Sequence, residues 1–297
     1  MDTNASGPVL RRCGRSHCPP GLRRLCELNA QGLPPVPSTL LIPLAARAEG
    51  GRCFPWLACH DADAVHLLDC LGVDPAPYLV DRPTVLNVLW RTRVIQQVAR
   101  AFFDAYPQAL GVNLGAGLSH HFQWLDTGRN RWLDADLPEV MALREALLPA
   151  PGGRQQAATV DLARPDWWSR LGLPAQGDNT PVLLLLEGVL MYLPPAQVRQ
   201  VLATFGEHAP AGSLLLLDVM SALGVGRAAA HYSVGPTGAQ FQWGVQHMEE
   251  LAQAHPRLRL LETRSVAEAY GWAGLWTEAC WRPWLQAPLY GMATLQV

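Results

Sequence analysis

Short apolar segments of the chain end in a glycine turn or in a carboxylate, and such groups could together bind a nucleoside. Segment 110–114 leads directly into the turn Gly115-Ala116-Gly117. The carboxylates that follow other apolar segments are Asp136, Asp161, Glu187 and Asp218. Glycine lets a backbone approach a ligand closely, and an ionised carboxylate accepts hydrogen bonds from hydroxyl groups.

The spacing between the glycine turn and Asp136 favours a nucleoside. Asp136 lies 19 residues after Gly117, where a carboxylate can accept both hydroxyls of a ribose. The turn alone is a weak signal, because many strand-to-helix connections contain glycines for packing. A dinucleotide-binding turn would have a third glycine at position 120, which is His120 here. Asp136 could instead be a helix N-cap, since a proline and a glutamate follow it.

Strands and helices alternate along the chain, and their order predicts how these groups come together. Unbroken apolar runs predict buried strands, and a helical period predicts amphipathic helices. We expect strands at 110–114, 131–136, 157–160, 182–186, 214–217, 258–262 and 293–297, and helices at 39–47, 61–71, 85–105, 139–148 and 195–208. This alternation indicates an α/β fold with a doubly wound parallel sheet, in which ligands bind outside the carboxyl ends of the strands.

Composition excludes several classes of protein. The chain has 297 residues, with 23 basic and 25 acidic side chains, and 49% of its residues are hydrophobic. The hydrophobic fraction excludes a disordered chain, and the near-neutral charge argues against nucleic-acid binding. The best apolar run, 182–193, is interrupted by Glu187, so we expect no membrane span. The N-terminus has no signal-peptide pattern, which predicts a cytoplasmic protein.

Three segments, in a consistent order, resemble a known family. They are GVNLGAGLSHHFQWL at 111–125, RWLDADLPEVMALREALLP at 131–149 and LLLLEGVLMYLPPAQV at 183–198. They resemble the leucine carboxyl methyltransferase family, and are most similar to its bacterial branch of tetracenomycin-type O-methyltransferases. TLLIPLAARA at 39–48 and FQWGV at 241–245 are also typical of that branch. The resemblance implies a class I S-adenosylmethionine-dependent methyltransferase with a seven-stranded Rossmann-like sheet, in which the last inserted strand is antiparallel.

The resemblance also implies a role in cofactor binding for seven residues. For the amino-acid part of the cofactor, Arg91 would hold the methionine carboxylate, and Glu187 would lie beside the ammonium group. Gly115 and Gly117 would pass under the same part. For the nucleoside, Asp136 would accept hydrogen bonds from the ribose hydroxyls, and Asp161 and Leu162 would flank the adenine. The chemistry suits these roles, because arginine is a two-pronged donor to carboxylates. Alternatively, Arg91 is a surface arginine and Glu187 caps the next helix.

One segment departs from the family pattern. Relatives usually have Gly-Leu-Asp-Thr-Arg after the glycine turn, whereas this chain has Gly117-Leu118-Ser119-His120-His121. The loss of that aspartate and arginine indicates a changed cofactor pocket, and keeps a non-catalytic cofactor-binding protein as an alternative. Because adjacent helical residues face different directions, His120 and His121 do not predict a metal site.

The acceptor side is less well defined by the sequence. A carboxylate acceptor needs no general base, whereas a hydroxyl acceptor needs one or a stabilised oxyanion. The weak candidates for a base are His231, Tyr232 and His247. Five tryptophans in the C-terminal part could form either an apolar acceptor wall or part of the core: Trp243, Trp272, Trp276, Trp281 and Trp284.

Three parts of the chain are predicted. Residues 1–37 are a variable N-terminal extension, residues 38–108 a helical cap, and residues 109–297 the methyltransferase core. The extension contains Cys13, His17, Cys18 and Cys26. Their spacing matches no compact zinc site, so we expect no metal.

The predicted function is S-adenosylmethionine-dependent O-methylation of a small molecule, at a hydroxyl or carboxylate, of the polyketide-like kind. The alternatives are the non-catalytic cofactor-binding protein and a nicotinamide-dependent oxidoreductase. His120 and the lack of a hydride-transfer signature disfavour the oxidoreductase. The partner we expect is a small-molecule acceptor, with neither nucleic acid nor membrane. Nothing in the sequence predicts an oligomeric state.

Overall fold

The structure, a computed structural model, describes residues 37–148, 152–281 and 285–297. The cysteines and histidine of the N-terminal extension lie outside the described residues, and the division of the chain into three parts stays a prediction. Within the described ranges, no helix combines the length and apolar character that crossing a membrane requires.

A seven-stranded sheet runs through the molecule. Its strands are β1 (Leu110–Leu114), β2 (Arg131–Asp136), β3 (Gln155–Thr159), β4 (Val182–Leu186), β5 (Leu214–Met220), β6 (Arg259–Ser265) and β7 (Tyr290–Gln296). Their spatial order is β3-β2-β1-β4-β5-β7-β6. Neighbouring strands are parallel except β7, which is antiparallel to both β5 and β6. This confirms the predicted sheet with one antiparallel strand and places the topological switch between β1 and β4.

The helices pack on both faces of the sheet. The α-helices are α1 (Leu41–Glu49), α2 (Ala62–Leu71), α3 (Ala76–Leu79), α4 (Arg82–Ala105), α5 (Phe122–Leu125), α6 (Pro138–Leu147), α7 (Trp167–Arg170), α8 (Pro195–His208) and α9 (Gly271–Trp281). Short 3-10 helices occupy Pro37–Leu40, Gly50–Arg52, Pro55–Leu57, Leu190–Tyr192, Ala222–Gly224, Ala228–Ala230, Gly235–Thr237, Met248–Ala254 and Val266–Tyr270.

Central and edge strands differ in how well the sequence predicts them. All five residues of β4 are buried between β1 and β5, as its unbroken apolar run predicts. Strand β3 begins at Gln155, two residues before the predicted start, and is largely exposed. It is an edge strand, defined by backbone pairing with β2 from Trp132 to Asp136. Pairing of this kind leaves little trace in the apolar pattern, so its limits were predicted less well.

Helix α4 carries the cofactor-site arginine predicted from the sequence. It begins at Arg82, three residues before the predicted start, because the carboxylate of Asp81 accepts a hydrogen bond from the Thr84 backbone N–H at 3.3 Å. Its apolar face packs against Leu185 of β4 and Leu216 of β5. The helix therefore crosses the sheet beside the switch point.

Helices α1 and α2 cover the glycine turn. Leu44 of α1 and Leu67 of α2 lie in one buried cluster with Leu118, which follows the turn. A buried ion pair of 3.0 Å joins Arg47 of α1 to Asp61, the N-cap residue of α2. Helices α1 and α2 thus fix one side of the ligand-binding edge.

Candidate functional site

A cavity of about 620 Å³ opens at the carboxyl ends of β1, β4 and β5. Of the seven residues that the family resemblance assigns to the cofactor, four lie on its wall: Arg91, Gly115, Gly117 and Glu187. Asp136 lies beside the wall, and Asp161 and Leu162 do not line it. The structure thus brings together residues from α4, the turn after β1 and the end of β4.

The glycine turn has a backbone conformation that few other residues adopt. Gly115 has φ +68° and Gly117 has φ +51°. The N–H groups of Gly115 and Ala116 donate to the Ala135 carbonyl of β2, at 2.8 and 3.2 Å. The turn is therefore fixed against β2, and its surface is bare backbone that a ligand can approach.

We expect Gly115→Ala to destabilise this turn. A Cβ at position 115 would lie 2.3 Å from Cγ2 of Val189, whose β-branched side chain has few other rotamers. Backbone strain and overpacking together should lower the free energy of unfolding by about 2–4 kcal/mol. The control is Gly172→Ala, with φ +60° and no atom within 4 Å of the new Cβ, which carries the backbone strain alone. Equal losses in urea denaturation would contradict a close approach at Gly115.

Arg91 is the centre of a buried polar cluster. Its Nε donates to Glu187 Oε1 at 2.7 Å, and its Nη1 donates to Asp218 Oδ2 at 3.3 Å and to the Tyr290 hydroxyl at 2.8 Å. The Tyr290 hydroxyl in turn donates to Asp218 Oδ2 at 2.7 Å. The alternative of a surface arginine is wrong, because the Arg91 side chain is almost completely buried.

The pKa values of the two carboxylates in this cluster, Glu187 and Asp218, shift in opposite directions. Burial alone would raise the pKa of Glu187, but Arg91 and His121 outweigh that effect and hold the pKa well below its ordinary value. Burial raises the pKa of Asp218, against the opposing effects of Arg91 and the Tyr290 hydroxyl. Glu187 is therefore an anion at neutral pH, directly beside the cavity.

The three remaining residues assigned to the cofactor lie at the ends of β2 and β3. Asp136 Oδ2 accepts from the Gly117 N–H at 2.7 Å, and its Oδ1 accepts from the Leu137 N–H at 2.7 Å. Asp161 is exposed, and its Oδ1 accepts from the Ala163 N–H at 2.9 Å. Leu162 is buried in the main core. The roles of these three residues toward a nucleoside stay predictions.

The segment that departs from the family pattern, Ser119-His120-His121, forms side-chain contacts with its surroundings at all three residues. His121 is buried, and its Nε2 lies 2.6 Å from Glu187 Oε2. His120 Nδ1 lies 2.5 Å from Asp63 of α2, and the Ser119 hydroxyl donates to the Ala116 carbonyl at 2.7 Å. The two imidazoles point to different partners, and the described residues contain no group of three or more metal-ligating side chains.

Arg144 of α6 holds the same segment from beneath. Its Nη1 donates to the carbonyl oxygens of Gly117, at 3.0 Å, and Ser119. Its Nη2 forms a buried ion pair of 2.8 Å with Asp134 of β2. The turn is thus supported by a charged network that does not use the family's aspartate and arginine.

Two members of the site were not predicted from the sequence: Tyr290 and His121. Asp218 was expected at this edge of the sheet, because it follows a buried strand segment, as Glu187 does, but no role was assigned to it. Tyr290 had no sequence signal, since it enters the site from β7, 72 residues after Asp218. His121 was recognised as a departure, but its contact with Glu187 depends on the tertiary fold.

The structure separates the three candidate bases. His231 lines the cavity, whereas Tyr232 is 63% exposed and lies outside it. His247 is exposed and begins the 3-10 helix Met248–Ala254, where its backbone N–H donates to Glu250 Oε1 at 3.1 Å. His231 is the member of this set that a ligand in the cavity could contact.

The four C-terminal tryptophans that the structure describes form neither an acceptor wall nor a common core. Trp272 and Trp276 of α9 are 89% and 73% exposed, and Trp281 is also exposed. Trp243 packs partly buried against the main core, and Trp284 lies outside the described residues. None of the four described tryptophans lines the cavity. The hydrophobicity of α9 is not matched by burial, which the sequence pattern could not reveal.

Comparison with known proteins identifies relatives of the chain. The model of the leucine carboxyl methyltransferase family matches residues 72–206. The tetracenomycin polyketide synthesis O-methyltransferase TcmP of Streptomyces glaucescens is 28% identical over 235 residues, which are 79% of this chain and 84% of TcmP. The S-adenosyl-L-methionine-dependent methyltransferase dpfgK of Gibberella zeae is 26% identical over 255 residues, 80% of this chain and 84% of that protein.

A solved structure agrees with the fold. A crystal structure assigned to a methyltransferase from Thermobifida fusca YX superposes with a TM-score of 0.50 and 16% identity, and covers 86% of this chain and 93% of that one. The comparisons confirm the family resemblance, enzyme class and cofactor predicted from the sequence, because the family and both relatives are methyltransferases and dpfgK is named as S-adenosyl-L-methionine-dependent.

Proposed function

We propose that this chain, a class I S-adenosylmethionine-dependent methyltransferase related to the leucine carboxyl methyltransferases, methylates an oxygen atom of a small organic molecule. The observation that carries the proposal is a single cavity, whose wall contains the glycine turn, the Arg91–Glu187 pair and a group of apolar side chains. The name of TcmP places that protein in polyketide synthesis, and a polyketide-like acceptor would fit the apolar part of this cavity.

The residues of the cavity fit the amino-acid part of the cofactor. Arg91 uses Nε and Nη1 for protein partners, and its Nη2 has none among the described residues. The two N–H groups of Nη2 therefore remain, and either of them can donate a single charge-assisted hydrogen bond to a carboxylate. Glu187 supplies the negative charge for an ammonium group. Gly115 and Gly117 also line the cavity, and Val189 and Leu40 occupy the positions that their side chains would take.

The chain's task is to position and enclose the reactants. When bound, the cofactor supplies a methyl group already activated on a sulfonium. The apolar side chains that enclose the acceptor region are Ile42, Met191, Met220, Val234 and Phe241. They exclude water and restrict the acceptor to an orientation for attack, which is the main source of rate in a displacement of this kind.

The hydrogen bonds of His231 favour a carboxylate over a hydroxyl acceptor. Nδ1 of His231 accepts from the Val234 N–H at 3.3 Å, so that Nε2 carries the proton and faces the Thr84 hydroxyl at 3.4 Å. Both ring nitrogens are thus engaged. A carboxylate reacts without a base, whereas a hydroxyl acceptor would require His231 to release one of these contacts.

The cofactor assignment makes Asp136 a carboxylate for the ribose. We expect Asp136→Ala to weaken S-adenosylmethionine about ten- to a hundredfold, because it removes a charge-assisted contact of roughly 1.5–3 kcal/mol. Asp136→Asn, which keeps one acceptor oxygen for the Gly117 N–H, should lose less. The measurement is calorimetric titration, with the exposed α4 variant Asp104→Ala as control. Unchanged affinity in a folded Asp136→Ala protein would contradict the ribose role.

The test of the function is titration with S-adenosylmethionine and S-adenosylhomocysteine, with NADH as control, followed by an acceptor screen. Micromolar binding of the first two ligands and methyl transfer to an acceptor are the expected results. Binding of NADH alone would favour an oxidoreductase. Cofactor binding without turnover on any acceptor would favour the non-catalytic alternative.

A further inference from the structure

The carboxylate of Glu187 is held from two sides, by one hydrogen bond to each of its oxygens. Arg91 Nε donates to Oε1 at 2.7 Å, and His121 Nε2 lies 2.6 Å from Oε2. An ionised carboxylate only accepts hydrogen bonds, so the proton of the second contact is on His121 Nε2. Because each carboxylate oxygen has two lone pairs, each of them keeps one acceptor position for a ligand in the cavity that Glu187 lines.

The imidazole of His121 is directed at Glu187 alone. Its side chain is completely buried, and its Nδ1 has no hydrogen-bond partner among the described residues. The Trp124 N–H donates to the His121 carbonyl at 3.0 Å, and the Trp124 ring packs against the imidazole with 5.9 Å between the ring centroids. The ring is therefore fixed by its surroundings, while its hydrogen bonding acts on Oε2 of Glu187.

The donors of Arg91 show what this contact changes. The Nε and Nη2 groups of a guanidinium lie on one edge and can together bind both oxygens of one carboxylate. Arg91 nevertheless donates to Glu187 through Nε alone, and its Nη1 donates to Asp218 and Tyr290. Oε2, the oxygen that a two-pronged pair would place on Nη2, is bound to His121 instead.

We propose that His121 is a positioning residue for cofactor binding, which holds Oε2 of Glu187 away from Arg91 and so keeps the Nη2 group of Arg91 open for the cofactor carboxylate. His121 does not line the cavity, so it acts through Glu187 and not by touching the ligand. Without it, the Arg91–Glu187 ion pair survives but closes into a two-pronged pair that occupies Nη2. The inference rests on the proposed function, in which Arg91 and Glu187 bind the amino-acid part of the cofactor.

The experiment compares two ligands that differ in the amino-acid part. S-adenosylhomocysteine has an ammonium and a carboxylate, whereas 5′-methylthioadenosine has the same nucleoside and sulfur but neither charged group. Calorimetric titration measures the affinity of each variant for both ligands. A positioning role affects S-adenosylhomocysteine alone, whereas a general loss of packing around the glycine turn would weaken both ligands.

Two variants of His121 separate its hydrogen bond from its bulk. His121→Leu removes the donor and keeps a side chain of similar size, and should weaken S-adenosylhomocysteine at least about tenfold and 5′-methylthioadenosine less than about twofold. His121→Gln has an amide N–H that can take the place of Nε2–H, and should bring the affinity for S-adenosylhomocysteine back to within about threefold of wild type.

The matched control is His66→Leu, the same replacement at an exposed position of α2 outside the cavity, which should change neither affinity. Thermal unfolding checks that each variant is folded. If His121→Leu does not fold, His121→Asn takes its place, because its shorter amide does not reach Oε2. The same selective loss is expected there.

Equal losses for the two ligands in His121→Leu, no loss for either ligand, or a loss in His121→Gln as large as in His121→Leu would overturn the inference. A wild-type protein that does not bind S-adenosylhomocysteine would overturn the proposed function and this inference with it. Normal binding by wild type together with a failed His121 series leaves the function standing and counts against His121 alone.

Discussion

Replacement of Arg91 by methionine is expected to abolish measurable S-adenosylmethionine binding and to lower the free energy of unfolding by about 3–5 kcal/mol. Methionine removes the free Nη2 donors that would hold the cofactor carboxylate. It also leaves Glu187 and Asp218 buried without their cation, 2.7 and 3.3 Å from where the guanidinium lay. Removing one partner of a buried ion pair exposes the full desolvation cost of the other.

The matched control is Arg93→Met, two residues along the same helix at an exposed position. It removes the same charge and should change both cofactor affinity and unfolding free energy by less than about 0.5 kcal/mol. Calorimetric titration and urea denaturation of the two variants measure both quantities. If Arg91→Met binds S-adenosylmethionine as wild type does, Arg91 does not hold the cofactor and its role is in stability alone.

Replacement of Arg144 by methionine is expected to cost a similar free energy of unfolding, about 3–5 kcal/mol, and to weaken the cofactor at least about tenfold. Arg144 never reaches the cavity wall. It binds the Gly117 and Ser119 carbonyls and pairs with the buried Asp134 at 2.8 Å. Its loss releases the turn from beneath, so that the backbone under the cofactor loses its fixed geometry.

The control for this variant is Arg199→Met on the exposed face of α8. A cofactor affinity that stays unchanged in Arg144→Met, despite a lower unfolding free energy, would show that the turn keeps its shape without Arg144. The double variant Arg144→Met/Asp134→Asn should recover part of the lost stability, because it no longer leaves a buried carboxylate unpaired. Asp134 also accepts hydrogen bonds from Asn113, Trp132 and Gln155. The single variant Asp134→Asn measures the cost of disturbing these bonds, and no recovery after subtracting it would place the loss in the two carbonyl contacts.

The accuracy of the predicted elements follows their burial. Strand β4 and helix α8 have the predicted limits, because a buried run and an amphipathic stripe carry their own patterns. The limits of β3 depend on pairing with β2, and those of α4 depend on the Asp81 cap, and neither has an apolar signal. Helix α9 is apolar in composition but contains no buried residue, so an apolar composition alone did not predict burial there.

The sequence by itself determined the sheet, the glycine turn and the carboxylates at the strand ends, because these features are local and repeat with the period of each element. The family resemblance also implied Arg91 and Glu187 as members of the site. Only the tertiary structure decided that Arg91 pairs with Asp218 and Tyr290 and that His121 binds Glu187. Those contacts join residues separated by 66 to 199 positions. They arise only when the parallel strands bring their carboxyl ends to one edge and β7 returns antiparallel beside β5.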